Sequence, residues 1–361
     1  MLYTCGVNSK KYIMKISHTF LFAALCCATY QSFAATTPEG ASYTYNGSDP
    51  LIRNAAADKS TLSYTNRADA TVVINNSTVD TTDYGTFTVT SNSSPIQIKN
   101  STVKGNNVIF DGKAVRLQSN STLDAMNVTL AGGTGVWDGA QVIATNQVTI
   151  KDTANTSSAS IQANVILLEG TGSIKKTNFT ADTIRINGSS IQIGGEFEIN
   201  GTTYTGNTVS AREIKVESGT LSLEDVALGD TSVTMDGGLI NILSDVEVGA
   251  LTLNGGTLNF DGDYVISLGG EAINLSDDVA ITISVDSVNS GHYVLFEDVA
   301  LNSVGLDNLS ITVVDATGAQ KEVVASYSNG SVTVTIPEPT TATLSLLALA
   351  GLAARRRRAS R

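Results

Sequence analysis

Histidine is the side chain best suited to acid–base or metal chemistry near neutral pH, and this 361-residue chain has only His18 and His292. A histidine-based metal site requires a second histidine or a cysteine, and neither lies near His292. His292 could exchange protons with a neighbouring carboxylate, but the sequence indicates no cleft around it. The simpler interpretation of His292 is a residue of a strand in the C-terminal cap.

Two short acidic segments could bind calcium, which prefers carboxylate and carbonyl oxygens. They are Asp261-Gly262-Asp263 and Asp277-Asp278. Neither segment matches an EF-hand loop or a glycine-aspartate nonapeptide repeat. The sequence therefore favours two solvated turns, and we expect no metal site and no cofactor.

The only tryptophan, Trp137, lies in the glycine-rich segment GTGVWDG. It could stack on a sugar ring, or it could pack at the edge of a loop. The adjacent Lys175 and Lys176 are typical of a solvated turn. The chain contains no nucleophile elbow, phosphate-binding loop, HExxH or CxxC motif, so we expect no enzymatic activity.

The segments that must position these residues have the period-2 alternation of β-strands from Thr71 onward. An eleven-residue unit recurs, with apolar residues at positions 2, 4, 9 and 11 around a polar, glycine- or serine-containing turn. The last three copies start 19 and then 18 residues apart. The copies are 107–117 (NVIFDGKAVRL), 183–193 (TIRINGSSIQI), 213–223 (EIKVESGTLSL), 232–242 (SVTMDGGLINI) and 250–260 (ALTLNGGTLNF).

A related pattern places Asn-Ser-Thr or a similar triplet after two alternating apolar residues, at 72–79, 96–103 and 115–123. Such repeats predict a solenoid, because one rung cannot bury its own apolar face but stacked rungs can. Equivalent residues should then lie above one another. At ~19–24 residues per rung, residues 69–268 predict about 8–10 rungs and a length of roughly 40–50 Å.

A run of β-hairpins is the local alternative, since Asn187-Gly188 and Asn254-Gly255 are typical hairpin turns. The regular spacing favours the solenoid. We therefore predict an all-β fold: a parallel β-helix over residues 69–268, similar in its Gly/Asn-rich turns to the passenger-type β-helices of bacterial surface proteins. Residues 35–68 are expected to form a leader and cap with a short helix near 51–59, and residues 269–336 a small antiparallel cap.

The charge is concentrated between the two ends of the chain. Three of the 22 basic residues precede residue 35 and five follow residue 339, whereas 33 of the 34 acidic residues lie between. Residues 35–336 thus carry 14 basic and 33 acidic side chains, a net charge of −19. This charge repels nucleic acid, so no nucleic-acid partner is expected.

The N-terminal segment has the features of a secretory signal peptide. Three lysines, Lys10, Lys11 and Lys15, precede an apolar run at 20–28. Ser32-Phe33-Ala34 supplies small residues for signal-peptidase cleavage between Ala34 and Ala35. The start is Met1 or Met14. All three cysteines lie within residues 1–34, so the exported chain would contain no disulfide.

The C-terminal segment has three parts in order. Pro337-Glu338-Pro339 comes first, an apolar run at 341–354 follows, and Arg355, Arg356, Arg357 and Arg358 come next. Fourteen helical residues cover about 21 Å of a hydrocarbon core that is ~30 Å thick. The segment therefore predicts a short hydrophobic helix that holds the chain in the membrane, with the arginines on the cytoplasmic side.

This tail resembles a PEP-CTERM sorting signal, which exosortase-type membrane enzymes process. The resemblance covers residues 337–361 and implies export, transient inner-membrane anchoring, cleavage near Pro337-Glu338-Pro339, and release or attachment at the cell surface. The resulting organisation is a signal peptide (1–34), a leader and cap (35–68), a solenoid (69–268), an antiparallel cap (269–336) and a sorting signal (337–361).

We therefore expect an exported structural or adhesive protein of the cell envelope or extracellular matrix. Signal peptidase and an exosortase-type enzyme would process it, and an exopolysaccharide or host glycan is the candidate partner. Two alternatives remain: a carbohydrate-active β-helix enzyme, such as a polysaccharide lyase or glycosidase, and a glycan-binding module. Clustered carboxylates in a groove would favour the enzyme, and an aromatic platform around Trp137 would favour the binding module.

Overall fold

The computed structural model of the protein describes residues 51–66, 71–91, 94–199, 201–271, 273–286, 288, 291–300 and 310–336. These residues form β-strands and no helix, which confirms the all-β prediction for the described part of the chain. In chain order the strands are β1 (Leu51–Ala55), β2 (Thr61–Asn66), β3 (Val72–Asn75), β4 (Thr78–Asp80), β5 (Thr86–Ser91), β6 (Ile96–Lys99), β7 (Thr102–Gly112), β8 (Val115–Gln118), β9 (Thr122–Leu130), β10 (Gly135–Trp137), β11 (Gln141–Ile150), β12 (Asn155–Ser157), β13 (Ser160–Leu168), β14 (Ile174–Lys175), β15 (Asn178–Ile193), β16 (Glu196–Ile199), β17 (Thr202–Thr205), β18 (Thr208–Leu223), β19 (Ser232–Met235), β20 (Leu239–Ile242), β21 (Val246–Glu247), β22 (Ala250–Leu253), β23 (Gly256–Phe260), β24 (Ile266–Ser267), β25 (Ile273–Leu275), β26 (Val279–Val285), β27 (Gly291–Glu297), β28 (Ser310–Asp315), β29 (Gln320–Val323), β30 (Ala325–Ser328) and β31 (Ser331–Ile336).

The strands stack in parallel as a β-solenoid of about ten turns, which confirms the predicted fold class. In the N-terminal half, one face is a six-stranded parallel sheet of β3, β6, β8, β10, β12 and β14, here called the front sheet. The strands β7, β9, β11 and β13 bend in the middle. Their first and second halves therefore form the two other faces of each turn.

The solenoid continues in the C-terminal half, first with longer strands and then with shorter ones. Both β15 and β18 run for 16 residues and pair with each other in parallel. Between them, β16 and β17 form an antiparallel hairpin that projects from the turn. After β18 the strands shorten, and the rungs pair through β19, β20, β22 and β23.

The interior is a continuous column of aliphatic and aromatic side chains. Every second residue of a strand points inward, as in the alternating buried and half-buried pattern of β8. Two columns predicted from the repeat are confirmed by the strand register. Their stacked residues are Ile214, Val233 and Leu251 in one column, and Leu223, Ile242 and Phe260 in the other.

The Asn-Ser-Thr pattern forms the corner after the front-sheet strands β3, β6 and β8. Asn76 and Asn100 have positive φ angles of 50° and 46°, which asparagine tolerates better than most residues. The serine that follows each asparagine turns inward and is buried. The Ser101 Oγ accepts a hydrogen bond from the Ser77 backbone N–H at 3.1 Å and donates one to the Lys99 carbonyl at 2.6 Å. The triplet thus supplies both the turn and the hydrogen bonds that the buried corner needs.

The hairpin alternative is wrong. Asn187 and Gly188 lie inside β15, where the flanking residues pair in parallel with β18. Asn254 and Gly255 lie at a corner between β22 and β23, and these two strands pair with other turns rather than with each other. The Asn-Gly turns therefore bend the chain around the solenoid instead of reversing it.

The short helix expected near residues 51–59 is also wrong. The segment forms β1, which pairs antiparallel with β2 through a turn that includes Lys59 at a φ of 56°. Strand β2 then begins the parallel stack by pairing with β5. The first turn of the solenoid is therefore covered by a hairpin, because a strand can satisfy the open backbone edge of β2 and a helix cannot.

The antiparallel cap is present but begins later than residue 269. Parallel pairing continues through β25, β26 and β28. Antiparallel pairing joins β28 to β29, β27 to β31, and β30 to β31. The alternating pattern of β26 fits either strand direction, so the pattern alone could not locate the change.

Both processing segments lie outside the described residues. The signal peptide with Ala34 and Ala35, and the tail with Pro337-Glu338-Pro339, its hydrophobic helix and residues 355–358, therefore remain predictions. Among the residues that the structure describes, no helix has the length and apolar character needed to cross a bilayer.

Candidate functional site

The outward surface of the front sheet carries cations and aromatic rings. Val115 and Leu117 of β8 point into the core, so Arg116 between them points outward. By the same alternation β6 presents Lys99, β10 presents Trp137 and β14 presents Lys175. We call Lys99, Arg116, Trp137 and Lys175, together with Tyr204 of the projecting hairpin, the cationic–aromatic face.

Two cation–π contacts organise this face. The Arg116 Cζ lies 5.2 Å from the centroid of the Trp137 ring, and the Lys175 Nζ lies 3.5 Å from the centroid of the Tyr204 ring. Trp137 pairs with Ser157, which in turn pairs with Lys175. The two contacts are therefore about 10 Å apart along the solenoid, which is two strand spacings.

A glycine sets the position of the tryptophan ring. A Cβ atom at Gly135 would lie 2.5 Å from the Trp137 Cζ2 atom, too close for any other residue without a shift of the ring. The indole therefore lies close against the β10 backbone. Beside it is an open cavity of about 410 Å³. The lining residues are Trp137, Asp138, Asn155, Thr156, Ser157, Ser173 and Lys175.

The charge of the cationic–aromatic face contrasts with that of the chain as a whole. The six front-sheet strands contain no aspartate or glutamate. Within the described ranges, no carboxylate lies within ion-pair distance of Lys99, Arg116 or Lys175. Asp138 is the one acidic residue on the rim of the cavity. These three cations therefore remain available to an anionic group.

A second cavity, of about 690 Å³, lies near the C-terminal end and is acidic. It brings together His292 and the Asp261-Gly262-Asp263 segment, which the sequence analysis treated separately. Asp286 and Tyr293 also line it. Burial raises the pKa of the Tyr293 phenol, and the negative charges of Asp263 and Asp286 raise it further.

The contacts inside the acidic cavity are those of a turn and a strand pair. His292 is exposed, and its Nδ1 lies 3.1 Å from the Thr335 Oγ1 on the paired strand β31. Asp315 accepts hydrogen bonds from Thr317 and Ala319 in the turn after β28, and these bonds lower its pKa. Across the described part of the chain, no three His, Cys, Asp or Glu side chains are placed to hold a metal ion.

A third cavity is an open polar groove of about 760 Å³ along the bend between the two halves of β11, β13, β15 and β18. Small residues form its floor: Ala144, Ala163, Ala181 and Ala211. Asp182, Arg212 and Asp230 also line it. Polar side chains along the groove can therefore form hydrogen bonds with a ligand. Trp137 and His292 do not line this groove.

The sequence-predicted residues are distributed over these features. Trp137 and Lys175 share the cationic–aromatic face, and Lys176 is exposed at the next corner with a φ of 50°. Asp277 and Asp278 form an exposed turn before β26 and do not line the acidic cavity.

Three residues of the face, Lys99, Arg116 and Tyr204, were missed by the sequence analysis. Lys99 occupies the outward position at the end of β6. Arg116 occupies the outward position of the VRLQ segment, and aligning the front-sheet repeats would have placed it beside residues 135–137. Tyr204 gave no signal, because its contact with Lys175 depends on how the projecting hairpin folds back.

No protein-family model, curated protein or solved structure matches the chain. We therefore infer its function from its own sequence and geometry.

Proposed function

We propose that the protein is an exported, non-enzymatic structural or adhesive component of the cell envelope or extracellular matrix. The observation that carries the proposal is the β-solenoid of about ten turns. Such a scaffold presents long rows of outward side chains at a regular spacing of about 4.8 Å. One row runs through Thr129, Thr149 and Leu167 to Arg185 and Lys215.

The proposed export pathway uses both ends of the chain. Signal peptidase would cleave between Ala34 and Ala35. The tail would hold the protein in the inner membrane, with Arg355 to Arg358 in the cytoplasm, until an exosortase-type enzyme acts near Pro337-Glu338-Pro339. Two features of the sequence support this pathway: the order of the three tail elements, and the restriction of cysteine to residues 1–34.

Fractionation of two tail variants tests the pathway, because they affect different steps. Replacing Arg355 to Arg358 with glutamine should remove the cytoplasmic stop, so that unprocessed protein passes the membrane. Replacing Pro337, Glu338 and Pro339 with alanine should block cleavage and leave full-length protein in the membrane fraction. Mass measurement of the protein in the cell, membrane and medium fractions gives both processing points. Parent-like mass and location for both variants would refute the sorting proposal.

The acidic cavity favours one alternative function, a carbohydrate-active hydrolase. Glycoside hydrolysis commonly uses two carboxylates that flank the bond, and this cavity contains Asp261, Asp263 and Asp286 beside His292. The hydrolase alternative predicts release of reducing ends from polysaccharides, and loss of that activity in Asp263→Asn. The structural proposal predicts no such release by the parent protein.

A further inference from the structure

We propose that the cationic–aromatic face binds an anionic polysaccharide, a chain that bears carboxylates on its sugar rings. This inference rests on the proposed function, because the polysaccharide is the partner that the exported protein would bind. Two kinds of side chain lie together on this face. One is a flat aromatic ring, and the other is a cation without a carboxylate partner in the described residues.

The aromatic groups supply the sugar-binding part of the site. The Trp137 ring lies close to the backbone of Gly135 and is half-buried, so it can bind a flat ligand with little loss of side-chain freedom. Carbohydrate rings have apolar C–H faces that pack on such aromatic surfaces. The hydroxyl groups of Ser157 and Ser173 line the same cavity and can bond to sugar hydroxyls.

The cations supply the selectivity for a charged chain. Arg116 and Lys175 lie on either side of the cavity along the solenoid axis, and Lys99 extends the cationic row toward the N-terminal end. The Lys175 ammonium is held over the Tyr204 ring, yet it keeps N–H groups for an anionic ligand. A carboxylate on every sugar, or on every second sugar, would meet these cations in turn.

The charge of the rest of the molecule argues against nucleic acid on this face. Residues 35–336 have a net charge of −19, which disfavours association with a densely charged polyanion. A nucleic acid carries one negative charge per ~1.7 Å of duplex and needs a wider basic surface. A polysaccharide with more widely spaced carboxylates fits three cations and one tryptophan better.

The test measures binding of the purified full-length chain to polygalacturonate, with neutral dextran and a single-stranded oligonucleotide as comparison probes. Lys175→Gln, Arg116→Gln and Trp137→Ala should each weaken polygalacturonate binding about tenfold. Trp137→Phe should retain part of the affinity. Lys104→Gln on another face makes the same charge change and should bind like the parent. Thermal unfolding by circular dichroism confirms that each variant is folded.

The possible outcomes separate the polysaccharide-binding proposal from the proposed function. Binding that weakens with added salt and with the three face variants, but not with Lys104→Gln, supports the site. Equal binding to dextran, equal loss in the control, or tighter binding to the oligonucleotide would overturn it. An exported protein that does not bind polygalacturonate would refute this inference and leave the proposed function standing. A binding protein that remains inside the cell would refute the proposed function instead.

Discussion

At the scale of single residues, position along the strand determines how much a substitution disturbs the molecule. Leu253 is fully buried between turns, whereas the neighbouring Thr252 faces outward and is half-buried. Their neighbours in adjacent turns have the same orientation, since Met235 and Leu275 pair with Leu253, and Thr234 and Asn274 pair with Thr252. The inward column therefore excludes water along its length, and the outward column does not.

We expect Leu253→Asp to lower the free energy of unfolding by about 4 kcal/mol or more, because it places an unpaired charge in the core. Thr252→Asp should change it by about 0.5 kcal/mol or less, as is usual for surface substitutions. Urea unfolding monitored by circular dichroism measures both values. Similar losses in the two variants would show that the strand faces are wrongly assigned.

A second residue-scale prediction concerns pH. The carboxylate of Asp236 accepts a hydrogen bond from the Lys215 ammonium at a Nζ–Oδ2 distance of 2.7 Å, and the Asn254 amide donates to it at 2.8 Å. These bonds lower the pKa of Asp236 and raise that of Lys215. A lowered carboxyl pKa stabilises the fold above the ordinary value of 3.8, and this contribution is lost as the pH falls through the folded-state value.

We therefore expect Asp236→Asn to be less stable than the parent at pH 7, with the difference shrinking below pH about 4. The raised pKa of Lys215 affects stability at the alkaline end of the pH range. Its stabilising contribution is present at pH 7 and is lost only as the pH rises through the folded-state value, above 10.5. The effect should be small because the pair is solvent-exposed. Urea midpoints of parent and variant at pH 3, 5 and 7 measure the difference across the range in which Asp236 gains its proton. A difference between parent and variant that does not change with pH would contradict the assignment.

At the scale of elements, the corners after the front-sheet strands hold successive turns together. Within the strands, backbone N–H and C=O groups form hydrogen bonds with the neighbouring parallel strands. At the corners these backbone groups need other partners. Ser77, Ser101 and Ser121 form a buried column in which the backbone N–H of one serine donates to the hydroxyl of the next, at 3.1 and 3.2 Å. A comparable column of amide side chains joins Asn107, Asn127 and Asn146 at the bend of the long strands.

We expect Ser101→Ala to destabilise the protein by about 1–3 kcal/mol, because it leaves the buried Ser77 N–H without its acceptor. Ser63→Ala, at an outward position of β2, is the matched control and should have little effect. Thermal unfolding compares the two variants. A Ser101→Ala protein as stable as the parent would mean that water or another group replaces the hydroxyl, and that the serine column is dispensable.

At the scale of the whole molecule, each turn of the solenoid contacts its neighbours, and the ends are closed by antiparallel pairing. The hairpin of β1 and β2 covers the first turn, and β29, β30 and β31 cover the last ones. Closed ends of this kind are expected of a stable solenoid, because an open end would leave backbone groups unpaired.

We expect the fragment 35–336 to fold without the signal peptide and the tail. Its far-UV circular dichroism should be that of a β-rich protein, and its unfolding should be cooperative. A fragment shortened to 35–268 is the informative control, since it removes the antiparallel end and exposes the open strands of the last turns. It should aggregate or unfold at lower temperature. A helical or coil-like spectrum for 35–336 would contradict the solenoid.

The sequence alone determined the fold class and the inward columns. The alternation of apolar residues identifies the buried side of a strand, and the regular spacing of the units puts equivalent residues such as Ile214 and Val233 above one another. These features are local or periodic, so they can be obtained from the order of residues. The Asn-Ser-Thr triplets were likewise visible as a repeat, although their buried hydrogen bonds were not.

Only the tertiary structure decided strand direction at the ends and the grouping of chemically active side chains. Strand alternation is the same for parallel and antiparallel neighbours, so it could not show where the cap begins. Residues 51–55 (LIRNA) lack a clear alternation, so their pairing with β2 was not visible in the sequence. Trp137 and Lys175 are 38 residues apart in sequence but two rungs apart in space, and Tyr204 reaches Lys175 from an inserted hairpin. Winding of the chain creates such contacts, because each turn brings residues about 20 positions apart to a distance of about 4.8 Å.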